Sequence, residues 1–231
     1  MNIVRRREIK YLLNTEEYKK AKNHISKVLT GDIHNKDSGY TIRSLYFDTL
    51  DDRDFQEKEA GVEIRRKVRL RVYDPEASFA MLEMKQKEGD YQLKRSLLVS
   101  REDAIELSKG NYACLLNYED PFAMEMYLFM TMNLYRPKVI IEYRRDAFVV
   151  KENSIRLTFD HDIVATEASM DIFDPNLQMN PIMDKNNYVL EVKYNGFLLS
   201  YVKDLIESVS CINTSVSKYY MSRNVTHKVI L

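Results

Sequence analysis

Apolar and polar residues alternate with a period of two over eight segments of the chain, which is the pattern of strands with one buried face. These segments cover residues 4–13, 40–48, 62–73, 77–87, 91–99, 138–150, 155–160 and 188–194. The sequence Lys-Glu-Gly-Asp at 87–90 favours a hairpin turn between the fourth and fifth segments. Because hairpins join neighbouring strands in opposite directions, we expect a mostly antiparallel sheet.

Helical patterns interrupt the strands at three places. Asn14 is a candidate N-cap with Glu17 at the third helical position, which is typical of a capping box. Ser100 is a second candidate N-cap, and apolar residues recur every three or four positions over 198–209. No linker rich in Pro, Gly or Ser divides the chain, so we expect a single α+β domain over residues 1–231.

Charged residues occupy successive same-face positions in several of the predicted strands. In the third strand, Lys67, Arg69 and Arg71 alternate with Val68 and Leu70. Similar runs occur elsewhere at Arg6, Glu8 and Lys10, at Glu83, Lys85 and Lys87, at Arg156 and Asp160, and at Glu191 and Lys193. Strand parity therefore separates charged from apolar side chains repeatedly along the chain.

Parity alone leaves two interpretations of these charged faces open. Each face could be solvated while the opposite face packs against helices. Alternatively, the sheet closes into a barrel of about eight strands whose interior, lined by the charged faces, holds one ligand. Clustered Arg and Lys side chains would then require an anion between them, and phosphate accepts bidentate hydrogen bonds from Arg.

Composition and missing motifs argue against several function classes. The formal net charge is zero, which argues against a general binder of nucleic acids or membrane surfaces. Cys114 and Cys211 form no C-x-x-C pair, and neither a signal peptide nor a run of about 18 apolar residues occurs. We therefore expect a cytoplasmic protein without a membrane span. Glycine-rich phosphate loops are also absent, so any nucleotide would be held by side-chain cations and a metal ion.

Ten short segments form a more specific pattern, and they include REIKY at 7–11, RKVRLRVY at 66–73, MLEMKQK at 81–87, IEYRRDAF at 141–148 and VLEVKYN at 189–195. In this order they resemble the VTC domain of polyphosphate polymerases, which belongs to the triphosphate tunnel metalloenzymes. The resemblance implies an antiparallel β-barrel tunnel with flanking helices. It also implies transfer of the γ-phosphate of ATP onto a growing inorganic polyphosphate chain, with Mn²⁺ or Mg²⁺ as cofactor.

The resemblance assigns roles to individual positions of this sequence. The side chains expected to clamp the triphosphate are Lys10, Arg69, Arg71, Lys85, Arg145 and Arg156. Those expected to bind substrate or the acceptor chain are Lys58, Lys94, Tyr143, Lys193, Ser217 and Lys218. The expected metal ligands are Glu191, Glu8 and Glu83. Tyr46, Phe47 and Asp48 are interpreted as barrel packing and turn capping, and Arg66 and Lys87 as peripheral.

Two departures from the family pattern keep alternatives open. Arg6 replaces the first glutamate of the E-x-E-x-K pattern found in many tunnel enzymes, and Ser215 replaces a lysine found near the C-terminus of eukaryotic members. The alternative functions are a tunnel triphosphatase, a non-catalytic polyphosphate-binding module, and adenylyl-cyclase chemistry. A tunnel that is open at both ends and has a basic exit would favour the polymerase over the triphosphatase.

Overall fold

The computed structural model describes residues 4–35, 39–89, 91–208 and 212–229. Eight long strands account for most of this part of the chain. They are β1 (Val4–Asn14), β2 (Tyr40–Asp48), β3 (Arg65–Val72), β4 (Phe79–Glu88), β5 (Tyr91–Ser100), β6 (Arg136–Val150), β7 (Ile155–Thr166) and β8 (Asn187–Tyr194). Six α-helices accompany them: α1 (Thr15–Val28), α2 (Arg53–Glu59), α3 (Arg101–Ser108), α4 (Pro121–Met132), α5 (Ser200–Glu207) and α6 (Lys218–Val229).

The eight long strands close into one antiparallel barrel. The order around it is β1-β8-β7-β6-β2-β3-β4-β5, and β5 pairs with β1 again. Three two-residue strands extend its rims: Thr30–Gly31 on β6, Asn180–Pro181 on β7 and Ile212–Asn213 on β1. The prediction of an α+β fold built on an antiparallel barrel with flanking helices is therefore confirmed.

The largest apolar cluster lies outside the barrel, between the strands and the helices. On β3, Val68 and Leu70 are fully buried in the largest apolar cluster, which also contains residues of α3 and α4. Lys67, Arg69 and Arg71 alternate with them and line the barrel interior. The parity of the strand thus places charge inside and apolar side chains outside, so the inward interpretation of the charged faces is correct.

Two further apolar clusters complete the core. α1 and α5 cover the outer face of β7 and β8 through side chains such as Ile25, Val202 and Leu190. α2 and α6 cover the barrel at one end, where Phe55 and Tyr219 are buried with residues from the inward strand faces, such as Ile42 and Ile141. With helices on its outer face, the barrel can keep its interior polar without losing a hydrophobic core.

The predicted helix starts are confirmed, but half of the helices were not predicted. The Asn14 side chain accepts hydrogen bonds from the Glu16 and Glu17 amides, and the Glu17 carboxylate accepts one from the Asn14 amide. Ser100 accepts a hydrogen bond from the Asp103 amide at the start of α3. Missing from the sequence analysis are α2, α4 and α6. In α4, apolar residues occur on nearly every face, so no amphipathic period marks it.

The strand and helix boundaries differ from the predictions by a few residues. β3 begins at Arg65, three residues later than predicted, and β7 continues to Thr166, six residues beyond its predicted end. α5 ends at Glu207, and position 209 of the predicted helix lies outside the described residues, as does part of the 87–90 turn. Among the described helices, none has the length and apolar content required to span a bilayer.

A buried polar cluster fixes the start of α2. The Asp48 carboxylate accepts hydrogen bonds from the backbone amides of Thr49, Asp54 and Phe55 and from the Tyr219 hydroxyl. The interpretation of Asp48 as a turn-capping residue is therefore confirmed. The Tyr135 hydroxyl donates to the neighbouring Asp54 at 3.0 Å. Burial, together with the nearby Asp48 carboxylate, raises the pKa of Asp54 to about 8.

Candidate functional site

A cavity of about 230 Å³ occupies the barrel interior. Within the described part of the chain, its lining contains eleven Lys or Arg side chains and two carboxylates, Glu8 and Glu191. The cations are Arg6, Lys10, Lys67, Arg69, Arg71, Lys85, Lys94, Arg145, Arg156, Lys193 and Lys218. Such an excess of positive charge in a partly desolvated space favours a polyanionic ligand.

The structure gathers thirteen of the fifteen predicted site residues around this cavity. Every expected clamp residue is present, as are Lys94, Tyr143, Lys193, Ser217, Lys218, Glu8 and Glu191. The other two lie elsewhere. Lys58 lines a second cavity, and Glu83 is buried among cations without lining either space.

The second cavity, of about 350 Å³, adjoins the first and opens at one end of the barrel. Both cavities are lined by Glu8, Lys10, Lys67, Lys85, Gln92 and Ser217. Four more cations, Lys58, Arg65, Arg66 and Lys87, surround this end, which we call the basic mouth. Arg66 and Lys87 line this second cavity and not the first, and they lie at the rim where β3 starts and β4 ends.

The opposite end of the first cavity has a different chemistry. Tyr40 begins β2 and Tyr73 directly follows the end of β3, so both lie at the rim away from the basic mouth. We call this end the tyrosine mouth. The strands alternate in direction, which places the beginning of β2 beside the end of β3. Neither tyrosine was predicted from the sequence to be a site residue.

Glu8 and Glu191 form a carboxylate pair between β1 and β8. In the register of these strands, Glu8 lies opposite Lys193 and Lys10 lies opposite Glu191. Glu8 is 2.8 Å from the Lys85 ammonium and 3.3 Å from that of Lys10, and Glu191 is 2.6 Å from that of Lys193. Burial opposes ionisation of Glu191, but Lys193, Lys10 and other cations outweigh it and hold its pKa well below the ordinary value.

Glu83 belongs to a separate cluster of ion pairs. Its carboxylate lies 2.7 Å from Arg69 Nε, 2.8 Å from Lys94 Nζ and 3.8 Å from Arg71 Nε. None of these three cations pairs with Glu8 or Glu191 in the described structure. Burial opposes its ionisation, but Arg71, Arg69 and Lys94 together keep its pKa well below the ordinary value. Its geometry therefore suits an internal counter-ion better than a third metal ligand.

Asp160 holds two of the predicted cations in place. Arg145 donates to it from Nε and Nη2 at 2.6 and 2.8 Å, and the Lys218 ammonium lies 2.5 Å from Oδ2. Asp160 is fully buried, and it lies on the inward face of β7. The strand pattern places Asp160 on the same face as Arg156 but predicts no role for it. Only the pairing of β6 with β7, which places Arg145 opposite Asp160, identifies the role.

Among the described residues, four arginines have a buried Nε that makes no hydrogen bond, namely Arg71, Arg95, Arg156 and Arg223. Arg71 and Arg156 are the two of them that line the first cavity. A buried, unsatisfied guanidinium N–H is costly and points to a ligand acceptor. Both atoms belong to side chains that line the first cavity, so they are candidate phosphate-binding groups.

Lys67 lies where the two cavities meet. Its ammonium donates to the Ser217 hydroxyl at 2.5 Å, immediately before α6. Burial and the neighbouring Lys10, Lys85 and Lys58 lower its pKa well below that of an ordinary lysine. Anion binding beside this group would raise the pKa again. The strand pattern predicts that Lys67 lies on the charged face of β3, but Lys67 was not among the predicted site residues.

Aromatic side chains complete the tunnel wall. Tyr46 is buried in the barrel and stacks on Tyr219, as its interpretation as a packing residue predicts, and its hydroxyl also accepts a hydrogen bond from Arg69 at 3.0 Å. The Tyr143 ring lies 4.4 Å from the Lys218 ammonium and 5.3 Å from the Arg145 guanidinium carbon. These cation–π contacts help to fix the two cations and use none of their hydrogen-bond donors beyond those that Asp160 accepts.

Comparisons with known structures support the fold. A candidate adenylate cyclase from Bacillus halodurans superposes with a TM-score of 0.57 at 13% identity, covering 94% of this chain and 96% of that chain. A candidate adenylyl cyclase from Hippeastrum, described as having a dominant triphosphatase activity, superposes with a TM-score of 0.55 at 14% identity, covering 95% of each chain. A search of curated protein sequences found no significant match.

The sequence itself matches a family model over nearly its whole length. The model of the VTC domain covers residues 5–227, including all strands of the barrel and every predicted site residue. The structural neighbours share the fold at low sequence identity. The chain therefore belongs to the VTC domain family.

Proposed function

We propose that this protein is a polyphosphate polymerase, which transfers the γ-phosphate of ATP onto the end of an inorganic polyphosphate chain. The observation that carries the proposal is the basic mouth, where Lys58, Arg65, Arg66 and Lys87 adjoin the central cavity. A hydrolase needs to bind only its triphosphate and release phosphate to water. A second cation-lined space beyond the triphosphate site suits a long anionic product.

The chemical step requires alignment and charge neutralisation more than covalent catalysis. A terminal oxygen of the acceptor chain attacks the γ-phosphorus, the bond from that phosphorus to the β,γ-bridging oxygen breaks, and ADP leaves. The acceptor oxygen is already anionic near neutral pH, so the site needs no strong general base. Arg69, Arg71, Arg145 and Arg156 are placed to stabilise the equatorial oxygens of the transferred group.

Glu8 and Glu191 are the residues that would hold a divalent cation. Two carboxylates on adjacent strands suit Mn²⁺ or Mg²⁺, which complete their coordination with water and phosphate oxygens. No group of three or more His, Cys, Asp or Glu side chains forms a closed cage among the described residues. When bound, such an ion would neutralise charge on the phosphate oxygens. Lys10, Lys85 and Lys193, which pair with the carboxylates here, would then be available to phosphate.

The acceptor chain would lie between the central cavity and the basic mouth. Lys67, Lys85 and Ser217 line both cavities, so they can contact a polyphosphate that passes from one to the other. Ser215, which stands in place of a family lysine, also lines the basic mouth. Its hydroxyl lies 3.4 Å from the Lys58 ammonium. Lys58 thus supplies a cation at the place where the family lysine is missing.

A tunnel triphosphatase is the second candidate. The same clamp could bind a triphosphate for hydrolysis, and the Hippeastrum protein of similar fold is described as having a dominant triphosphatase activity. In that case the basic mouth would have no product to hold.

Incubation of the purified protein with ATP and Mn²⁺, with and without a short polyphosphate primer, separates the two functions. The products are resolved on a gel stained for polyphosphate, and ADP and free phosphate are quantified. We expect a lengthening ladder with ADP formed in proportion to the phosphate residues added. Release of free phosphate without a ladder would assign the triphosphatase instead. If ATP is turned over with neither Mn²⁺ nor Mg²⁺, a non-catalytic polyphosphate-binding module would be the remaining function.

A further inference from the structure

Tyr40 and Tyr73 form an aromatic pair at the tyrosine mouth. Their ring centroids are 6.1 Å apart and their planes are inclined by 52°. Tyr73 is 52% exposed, whereas Arg71, two residues earlier on the same strand face, is 9% exposed. A large aromatic ring is therefore presented to solvent at the rim of a cavity whose deeper wall is charged and buried.

The Tyr40 ring is held in place by contacts with the charged wall. Its hydroxyl accepts a hydrogen bond from Arg156 Nη2 at 2.8 Å, and Arg156 also pairs with Asp32 at 2.9 Å. The His34 ring lies 6.4 Å from the Tyr40 ring in an edge orientation. Tyr40 is thus preorganised beside a predicted phosphate ligand, and Tyr73 leans over it from the neighbouring strand.

The pair lies at a suitable distance from the phosphate clamp. Successive same-face residues of a strand are roughly 7 Å apart, so Tyr73 lies about that far from Arg71 and twice as far from Arg69. A nucleoside triphosphate whose terminal phosphates contact Arg69 and Arg71 extends over a similar length. Its base would then reach the tyrosine mouth. The basic mouth, by contrast, is lined within the described residues by charged and small polar side chains, with Ile9 and Val216 as its apolar members.

We propose that Tyr40 and Tyr73 form a stacking platform for the base of the nucleoside triphosphate donor. The proposal rests on the proposed function, because it assumes that the clamp binds a triphosphate. Aromatic side chains stack on any base through its π-face, so the platform selects for a nucleotide over inorganic triphosphate without selecting strongly among bases. It also assigns the two mouths: the nucleotide occupies the tyrosine mouth, and the polyphosphate chain occupies the basic mouth.

This proposal can be tested by measuring the binding of two ligands that differ only in the nucleoside. The dissociation constants of ATP and of inorganic tripolyphosphate are measured by calorimetry for the wild type, Tyr73→Ala and Tyr73→Phe. The matched control is Tyr201→Ala, since Tyr201 is a comparably exposed tyrosine on α5. We expect Tyr73→Ala to weaken ATP binding about tenfold and to leave tripolyphosphate binding unchanged. Tyr73→Phe and Tyr201→Ala should bind both ligands as the wild type does.

Several outcomes would overturn the platform. Unchanged ATP affinity in Tyr73→Ala, or an equal loss for both ligands, would show that Tyr73 does not contact the base. If the wild type binds neither ligand, the proposed function fails, and the platform fails with it. A spectroscopic measurement adds a direct readout: the fluorescence of 2-aminopurine riboside triphosphate should be quenched on binding to the wild type and less quenched on binding to Tyr73→Ala. Equal quenching in the two proteins would contradict stacking on this residue.

Discussion

The Asp160 carboxylate accepts two hydrogen bonds from the Arg145 guanidinium, at 2.6 Å from Nε to Oδ1 and 2.8 Å from Nη2 to Oδ2. Both side chains are buried, with exposed fractions of 7% for Arg145 and 0% for Asp160. Lys218 shares the same carboxylate. Asp160 therefore fixes the positions of the Arg145 and Lys218 side chains. It also neutralises part of their charge when no phosphate is bound.

Replacing Asp160 by Asn should destabilise the fold, because Arg145 and Lys218 would lose their buried counter-charge. We expect the free energy of unfolding in urea to fall by about 3 kcal/mol. Tripolyphosphate should then raise the unfolding midpoint more in the variant than in the wild type, since the added anion restores neutrality. Asp204→Asn, on the exposed surface of α5, is the matched control. A loss no larger than that of the control would contradict this role of Asp160.

Replacing Arg71 by Ala should reduce the rate of ATP turnover far more than it reduces the stability of the fold. Its Nε makes no hydrogen bond, and the buried Glu83 keeps its two closer partners, Arg69 and Lys94, when Arg71 is removed, so we expect a smaller loss of stability than of activity. We expect the rate of ATP turnover to fall at least roughly 100-fold, as for the loss of one donor to a developing charge. The control is Lys20→Ala, because Lys20 is exposed on α1. Equal turnover in the two variants would show that Arg71 does not contact the transferred phosphate.

The two carboxylate clusters should respond differently to loss of charge. In Glu191→Gln, the Mn²⁺ concentration for half-maximal turnover should rise more than about tenfold, because one of the two proposed ligands loses its charge. In Glu83→Gln, that concentration should stay unchanged while stability falls, since Arg69, Arg71 and Lys94 lose their shared counter-ion. Metal titrations of turnover, together with urea unfolding, measure both effects. If the Mn²⁺ concentration for half-maximal turnover rises more in Glu83→Gln than in Glu191→Gln, Glu83 would be the metal ligand instead of Glu191.

The basic mouth should determine product length. A double variant, Lys58→Ala with Lys87→Ala, removes two cations that line the second cavity and not the first. We expect shorter polyphosphate products on a gel, with the KM for ATP close to that of the wild type. Lys20→Ala with Lys27→Ala removes the same charge from the exposed surface of α1 and is the control. Products of wild-type length would indicate that the chain leaves by another path.

The protonation of Asp54 should make stability depend on pH. Burial and Asp48 raise its pKa to about 8, whereas an aspartate in the unfolded chain has a pKa of about 4. Between these values the folded state holds a proton that the unfolded chain has lost, so the free energy of unfolding decreases as pH rises. Asp54→Asn removes this dependence, and the decrease between pH 5 and pH 8 should shrink by roughly 2 kcal/mol or more. Urea unfolding at several pH values measures it, and Asp204→Asn should retain the wild-type dependence.

Features that depend on neighbouring residues were predictable from the sequence. The alternation of Lys67, Arg69 and Arg71 with Val68 and Leu70 identifies two faces of β3, because successive side chains of any strand point in opposite directions. The Asn14 and Ser100 caps were predictable for the same reason, since each side chain binds an amide two or three residues away. No amphipathic period marks α4, and its burial against β5, in the apolar cluster that also contains residues of α3, comes from the tertiary structure.

Features that depend on distant residues were decided by the closed barrel. Parity could not show which face of β3 points inward, because that depends on the pairing of β6 with β7 and on helices that cover the outer face. The register of β1 against β8 places Lys10 opposite Glu191, although nearly the whole chain separates them. The same closure explains three further features: the separation of Glu83 from the other two carboxylates, the role of Asp160, and the different chemistry of the two mouths. The sequence by itself determined which residues share a strand face, since that order is local, whereas only the pairing of distant strands decided what those faces enclose.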